Sequence, residues 1–278
     1  MGRSSTTTPE RGTVGWVHAS IDAPTGVASI VLDRPERRNA LNLTLWRRLA
    51  EVAREVAADP AVRVVVIEGA GGHFCAGADV SEFGDARVGE ATLTYDAATE
   101  AAAAAIEAIS VPTVALVEGA CLGGGVSIAL AADVVLAAAS ARFGVPAASL
   151  GTLYPEGALG RLVRRVGDRR ARWLLLGAER IGAVEAVTIG LAERVVDDRA
   201  SGYELVVQMA TLSSMTQQAT KRVLADQRVH GELARIVFAA QDYAEGRRAF
   251  GERRAPRFMS SWEARRALEG GSGSLEDP

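Results

Sequence analysis

Short β-branched runs and longer stretches of helical spacing take turns along the chain up to about residue 202. The run 26-GVASIVLDRP-35 predicts a strand that stops at Pro35, since proline lacks the amide needed to continue a ladder. In 42-NLTLWRRLAEVAREVAAD-59, Leu45, Leu49, Val52 and Val56 recur three or four residues apart. That spacing puts them on one face of a helix, with Asn42 able to cap its start. The β-branched run 62-VRVVVIEGAG-71, closed by glycine, predicts a buried strand, and a loop follows over 72-GHFCAGADVSEF-83. An alanine-rich helix is predicted over about 89–109, ending before Pro112. The strand 113-TVALVEG-119, the turn 120-ACLGGG-125, a helix and the strand 133-DVVLAAA-139 repeat the style. Strands separated by helices imply parallel pairing with helical crossovers, hence an α/β fold.

Past residue 202 the strand signals fade. The segments 203-YELVVQMATLSS-214, 217-QQATKRVLAD-226, 231-GELARIVFAAQDYAEGRRAF-250 and 260-SSWEARRALE-269 all read as helices. The expected division is a leader over 1–13, an α/β core over 14–202, a helical region over 203–269 and a Gly/Ser tail over 270–278.

Composition narrows the function classes. At 278 residues and 48% hydrophobic, the chain can bury a sizeable core. A formal net charge of −3 argues against nucleic acid as a partner, because such binders carry a basic excess. No window approaches the ~18 apolar residues of a membrane span, and the first residues, MGRSSTTTPERG, lack the apolar stretch of a secretory signal. Two cysteines, Cys75 and Cys121, without metal-type spacing, read as free buried thiols in a reducing compartment. A cytoplasmic protein without a bound metal is expected.

Two small-residue turns are the candidate chemistry. The stretch 119-GACLGGG-125 between a strand and a helix lacks the Lys-Ser/Thr of a P-loop and the spacing of a dinucleotide fingerprint. Its glycines allow close approach to free N–H groups at a helix start, which favours an oxyanion; equally, they allow tight helix–sheet packing. The loop 76-AGAD-79 has the same character and also follows a strand. Two such turns can each give one N–H to a single oxygen.

Six blocks then carry a resemblance: 33-DRPERRNALN-42, 73-HFCAGADVSEF-83, 117-VEGACLGGGVSIALAADVVLA-137, 142-RFGVPAASLGTL-153, 180-RIGAVEAVTIGLAERVV-196 and 245-EGRRAFGERRAPRF-258. In order and spacing, from about residue 14 to 258, the chain resembles the crotonase (enoyl-CoA hydratase/isomerase) superfamily. The resemblance implies a spiral of ββα repeats with a C-terminal helical appendage, assembled as a homotrimer or a dimer of trimers. It implies an acyl-CoA thioester as substrate, with coenzyme A carried by that substrate and no separate cofactor. The thioester oxygen would sit between the amides of Ala78 and Gly124. Ala76, Asp79 and Val80 would lie near the adenine end of coenzyme A, and Arg38 and Ala40 along the pantetheine and phosphate path. Phe250 and Arg253 match positions that reach coenzyme A, often in a neighbouring subunit; an arginine suits a phosphate through its bidentate fork.

The chain departs from the hydratases of that family. Their two glutamates fall at Ser127 and Ala147, neither of which can orient water and handle a proton at C2. One carboxylate remains in an informative place, Glu156 of 155-PEG-157, which matches a segment of the Δ3,Δ2-enoyl-CoA isomerases. A single carboxylate that removes the C2 proton and returns it at C4 moves a double bond without consuming water. Such a shuttle works best among apolar neighbours, here expected from Leu153, Leu159 and the helices beyond. Tyr154 is expected as a wall of the acyl pocket. The open alternatives are another crotonase reaction (hydration, ring isomerisation, thioester hydrolysis or C–C cleavage), an acyl-CoA-binding protein without turnover, and Glu156 as an ordinary turn residue.

Overall fold

The computed structural model describes residues 16–270, except the side chains of Asp85 and Ala86. The expected leader, and the expected tail past Gly270, lie outside the described residues.

The β-branched runs pair as predicted. The strands are β1 (Trp16–Asp22), β2 (Val27–Asp33), β3 (Val64–Gly69), β4 (Thr113–Val117), β5 (Ala120–Leu122), β6 (Val134–Ala138), β7 (Arg142–Gly144), β8 (Arg180–Gly182) and β9 (Arg194–Val196). One sheet runs β1-β2-β3-β4-β6-β9, parallel throughout except for the β1–β2 hairpin. A smaller sheet, β5-β7-β8, branches off directly after β4 and β6. Two residues part β4 from β5 and three part β6 from β7, so at each place the chain passes directly from one sheet to the other.

Both faces of the sheet are buried along its central strands β2, β3, β4 and β6, which is why those strands are mostly apolar. Val65 and Ile67 of β3 and Ala115 and Val117 of β4 face the main core with the helix Leu43–Ala58. Their neighbours Val64, Val66, Val114 and Leu116 face the other way, against Val206 and Ala210 of the helix Arg199–Ala210. The period of two thus divides each strand between two cores. Asn42 caps the first long helix as predicted, accepting from the Leu45 N–H at 2.9 Å. The expected helix over 89–109 spans Ala91–Glu107.

The C-terminal helices pack around Met215, Ala219, Leu233, Ala264 and Leu268. Arg63 ties them to the large sheet, donating to the carbonyls of Ala210, Leu212 and Met259. The single helix expected over 231–250 is instead two, His230–Ala239 and Gln241–Glu252, parted at Ala240, whose ψ of 156° is extended. Tertiary bonds hold this break. Asp242, in the first turn of the second helix, accepts from the Ser213 hydroxyl at 2.6 Å and from the Met259 N–H at 2.8 Å.

Glu245 anchors the end of this region. Its carboxylate accepts from Arg254 at 2.6 Å, from the Arg257 N–H at 2.9 Å and from Arg248. Arg254 first, then the Arg257 amide and Arg248, hold it well below its ordinary value of 4.5. A depressed carboxylate stabilises the fold above its unfolded pKa and loses that contribution as pH falls toward its folded one. A Glu245→Gln protein is therefore expected to melt below wild type at pH 7. The gap should narrow as pH drops below about 4.5, which thermal melts across a pH series will check.

Candidate active site

The two small-residue turns meet. Residues 74–79 are stitched on both sides: Phe74 and Cys75 donate to the carbonyls of Glu118 and Ala120, and Ala76 donates to that of Arg38. Leu41 donates to Gly77 O and receives from the Asp79 N–H, an exchange that skips Ala78 and leaves its N–H pointing away from the ladder. Gly77 turns the chain here with φ +95°, and a Cβ on it would lie 2.6 Å from Leu122 O. The residue must therefore be glycine.

The second turn places its own free amide beside the first. Gly123, at φ +50° and ψ −114°, starts the helix Gly124–Ala131. Its carbonyl accepts from the N–H groups of Val126 and Ser127 and from the Tyr154 hydroxyl, the last at 2.9 Å. The Gly124 N–H belongs to the first turn of that helix, where no intrahelical acceptor exists. A Cβ on Gly124 would lie 3.6 Å from the Ala78 nitrogen, and one on Gly77 would lie 3.0 Å from the Gly124 nitrogen. Neither the Ala78 nor the Gly124 N–H has a protein acceptor among the described residues. Two unpaired donors this close, one at a helix start, suit an oxyanion.

Trp46 forms the floor. Its Cζ2 lies 2.8 Å from where a Gly124 Cβ would stand. Its indole N–H donates to the Tyr95 hydroxyl at 3.2 Å, which donates to Leu41 O at 3.0 Å. Burial pushes the Tyr95 phenol up to about 12 and the Tyr154 phenol well above its usual range, so both remain hydroxyl donors. Cys75 and Cys121 are free, fully buried and paired in one bridge behind the two turns. Burial pushes the Cys75 thiol up to about 12 and Cys121 well above its ordinary value, so neither is a nucleophile.

Apart from Glu156, the sequence-predicted residues divide into three groups. Ala76, Ala78, Val80, Gly124, Leu153 and Tyr154 line one cavity, together with Ser127 and Ala147. Arg38, Ala40 and Asp79 border the first turn without lining it. Arg38 is exposed in a left-handed conformation, Ala40 is buried, and Asp79 is turned inward. The Asp79 carboxylate caps Ser81 and pairs with Arg34 at 2.6 Å. Serine and Arg34 bonds hold it below the usual carboxylate range against the opposing effect of burial. Phe250 and Arg253 lie on the C-terminal helices, outside this cavity; Phe250 lines a separate groove with Phe238 and Tyr243.

Glu156 differs from its expected setting. It is the first residue of the helix Glu156–Val166 and is exposed. Its neighbours Leu153, Tyr154, Pro155 and Ala158 line the cavity, but Glu156 itself does not. Leu153, expected to surround it, is 84% exposed. Side chains at a helix start project toward its N-terminal end, which here is the cavity rim rather than the packed interior. Among the described residues, no carboxylate lines the cavity.

Sequence reasoning missed three contributors. Asn39 is fully buried at φ +59° and bonds four backbone groups around the first turn. Trp46 was readable only as one more apolar residue on the face marked by Leu45 and Leu49. His73 accepts from the Ala120 N–H through Nδ1 at 3.1 Å, a contact across forty-odd residues that no local pattern signals. No helix among the described residues is long and apolar enough to cross a membrane, and no group of three His, Cys, Asp or Glu is placed to hold a metal ion.

Comparison with known proteins matches this architecture. The family profile described as Enoyl-CoA hydratase/isomerase matches residues 22–261. Probable enoyl-CoA hydratase echA8 of Mycobacterium tuberculosis (strain CDC 1551 / Oshkosh) is 35% identical over 244 residues, covering 84% of this chain and 94% of that protein. The 2,3-dehydroadipyl-CoA hydratase of Escherichia coli (strain K12) is 33% identical over 244 residues, with the same coverage of 84% and 94%. A solved structure of an enoyl-CoA hydratase/isomerase family protein from Hyphomonas neptunium superposes with a TM-score of 0.81 at 36% identity. It covers 87% of this chain and 97% of that one. With the profile spanning most of the chain and the paired amides in place between its two turns, this protein belongs to the enoyl-CoA hydratase/isomerase family, the crotonase superfamily.

Proposed function

We propose that the protein moves a double bond in an enoyl-CoA, with the thioester oxygen on the amides of Ala78 and Gly124 and the proton carried by Glu156. One observation carries this reading: Ser127 and Ala147, the positions to which the resemblance assigns the two hydratase glutamates, line the cavity, and Glu156, next to the lining residue Pro155, is the nearby carboxylate in sequence. In the reaction, the Glu156 carboxylate takes a proton from C2 of a 3-enoyl-CoA. The electron pair passes into the conjugated system and onto the thioester oxygen, where the two N–H donors stabilise it. The carboxyl then returns the proton at C4, giving the 2-enoyl-CoA and the free carboxylate. Tyr154 serves by fixing the Gly123 carbonyl and thereby the helix start. The hydratase names of the relatives are compatible with the shared scaffold; the absence of an acid at Ser127 and Ala147 is what favours isomerisation over hydration in this reading.

Arg38, Ala40, Ala76, Asp79 and Val80 belong to the proposed coenzyme A path, Asp79 through its bond to Arg34 rather than by direct contact. Phe250, 88% exposed, and Arg253 belong to it through a neighbouring subunit of a trimer or dimer of trimers. A second reading, acyl-CoA binding without turnover, is favoured by the exposure of Glu156.

The test is Glu156→Gln assayed by the absorbance of the conjugated thioester formed from 3-enoyl-CoA. Loss of a positioned acid–base group predicts a fall of roughly 10²–10⁴-fold with ester affinity retained. A fully active variant rejects Glu156 as the shuttle. A wild-type protein that binds esters and turns over none of a panel of enoyl-, hydroxyacyl- and epoxyacyl-CoA substrates establishes the second reading.

A further inference from the structure

Among the residues lining the cavity of the paired amides, one carries a charge: Arg87. Its side chain is only 12% exposed. The guanidinium carbon lies 4.9 Å from the centroid of the Tyr95 ring and 5.2 Å from that of Phe83, so two cation–π contacts fix it in place. Nη2 donates to Asp96 Oδ1 at 2.5 Å. An arginine has five N–H donors, and no other donor of this one meets a protein acceptor among the described residues.

Its position relative to the amides is built in. Tyr95, on which the guanidinium stacks, is bonded through its hydroxyl to Trp46, and Trp46 underlies Gly124. An acyl chain running from the amides over these rings would reach Arg87, which lines the same cavity.

A hydrocarbon chain filling that end of the cavity would displace water from the remaining donors and offer them nothing, which is costly for a charged group. Asp96 offsets this only in part, since one donor reaches it and its side chain is 33% exposed to water. A carboxylate fits the free edge of the guanidinium through two parallel charge-assisted bonds. We propose that the acyl group accepted here ends in a carboxylate received by Arg87, so that the substrate is the coenzyme A thioester of a dicarboxylic acid. This rests on the acyl-CoA reading of the site, and it requires neither turnover nor a role for Glu156.

The experiment is calorimetric binding of adipyl-CoA and hexanoyl-CoA to the full-length protein and to Arg87→Met. Wild type is expected to bind adipyl-CoA roughly tenfold to a hundredfold more tightly, the worth of a charge-assisted pair. Arg87→Met is expected to lose that preference, its adipyl-CoA affinity falling to the level of hexanoyl-CoA. Equal binding of the two esters by wild type, or an Arg87→Met protein that keeps the preference, overturns the proposal and leaves the acyl-CoA reading standing. Binding of neither ester overturns both. If Arg87→Met does not fold, the wild-type comparison decides alone.

Discussion

A Gly124→Ala protein is expected to fold and to lose turnover by roughly 10²–10³-fold, the worth of one oxyanion donor. The added methyl has two consequences. It stands 2.8 Å from Trp46 Cζ2, closer than carbon atoms tolerate, so the helix start or the indole must shift. Trp46 is 1% exposed and bonded to Tyr95, so the shift falls mainly on the turn, at an overpacking cost of about 1–3 kcal/mol. The methyl also stands 3.6 Å from the Ala78 nitrogen, in the gap where an oxygen would bond both amides. Steady-state rates on an enoyl-CoA beside a thermal melt separate the two effects. Rates retained with a lowered melting temperature would mean that the thioester oxygen sits elsewhere.

The second large effect is expected from Asn39, far from any reacting atom. Its Nδ2 donates to the carbonyls of Ala70, His73 and Phe74, and its Oδ1 accepts from the Arg34 N–H at 2.9 Å. Asn39→Ala strands these groups; the bond to the Phe74 carbonyl is fully buried and the other three are partly buried, so the full cost of about 1–3 kcal/mol for a buried unsatisfied group falls on the first and less on the rest. Alanine at φ +59° adds about 1–2 kcal/mol of left-handed backbone cost that asparagine largely escapes. A loss of roughly 3–5 kcal/mol by denaturant unfolding is expected, at the upper end of single substitutions. Asn39→Asp should be no better, because a carboxylate cannot donate and would face three carbonyl oxygens. An Asn39→Ala protein within 1 kcal/mol of wild type would show that the first turn is held by its backbone ladder alone.

These two residues mark what a sequence yields and what it conceals. Gly124 was legible because glycines between a strand and a helix have few physical purposes, and Asn42 because a cap lies next to the helix it starts. The long parallel strands were legible because both of their faces are buried and nearly all of their residues are apolar. The small sheet was not: β5, β7 and β8 are three residues each, too short for a period to register. Nor was the hairpin strand β1, whose residues are mostly exposed and show no clean alternation. The break at Ala240 is set by Ser213 and Met259 bonding Asp242 from other segments, which no local pattern records. Glu156 shows the sharper limit. Its place in the P-E-G segment was plain, but whether a helix-start carboxylate turns to the cavity or to water depends on rotamers and neighbours that spacing does not encode. Asn39 and Arg87 act through partners that only folding brings together: the Asn39 contacts lie thirty-odd residues along the chain, and Arg87 needs the rings of Phe83 and Tyr95 on one side.

The indole beneath the glycine turn also gives the protein an optical signal of its own. Trp16, Trp173 and Trp262 are 44%, 64% and 38% exposed, so iodide or acrylamide reaches them, while Trp46 is sealed. Tryptophan emission that survives quenching therefore comes from Trp46, which lines the cavity of the amide pair. Its wavelength and intensity will follow occupancy of that place without any label, for esters that react and for those that only dock.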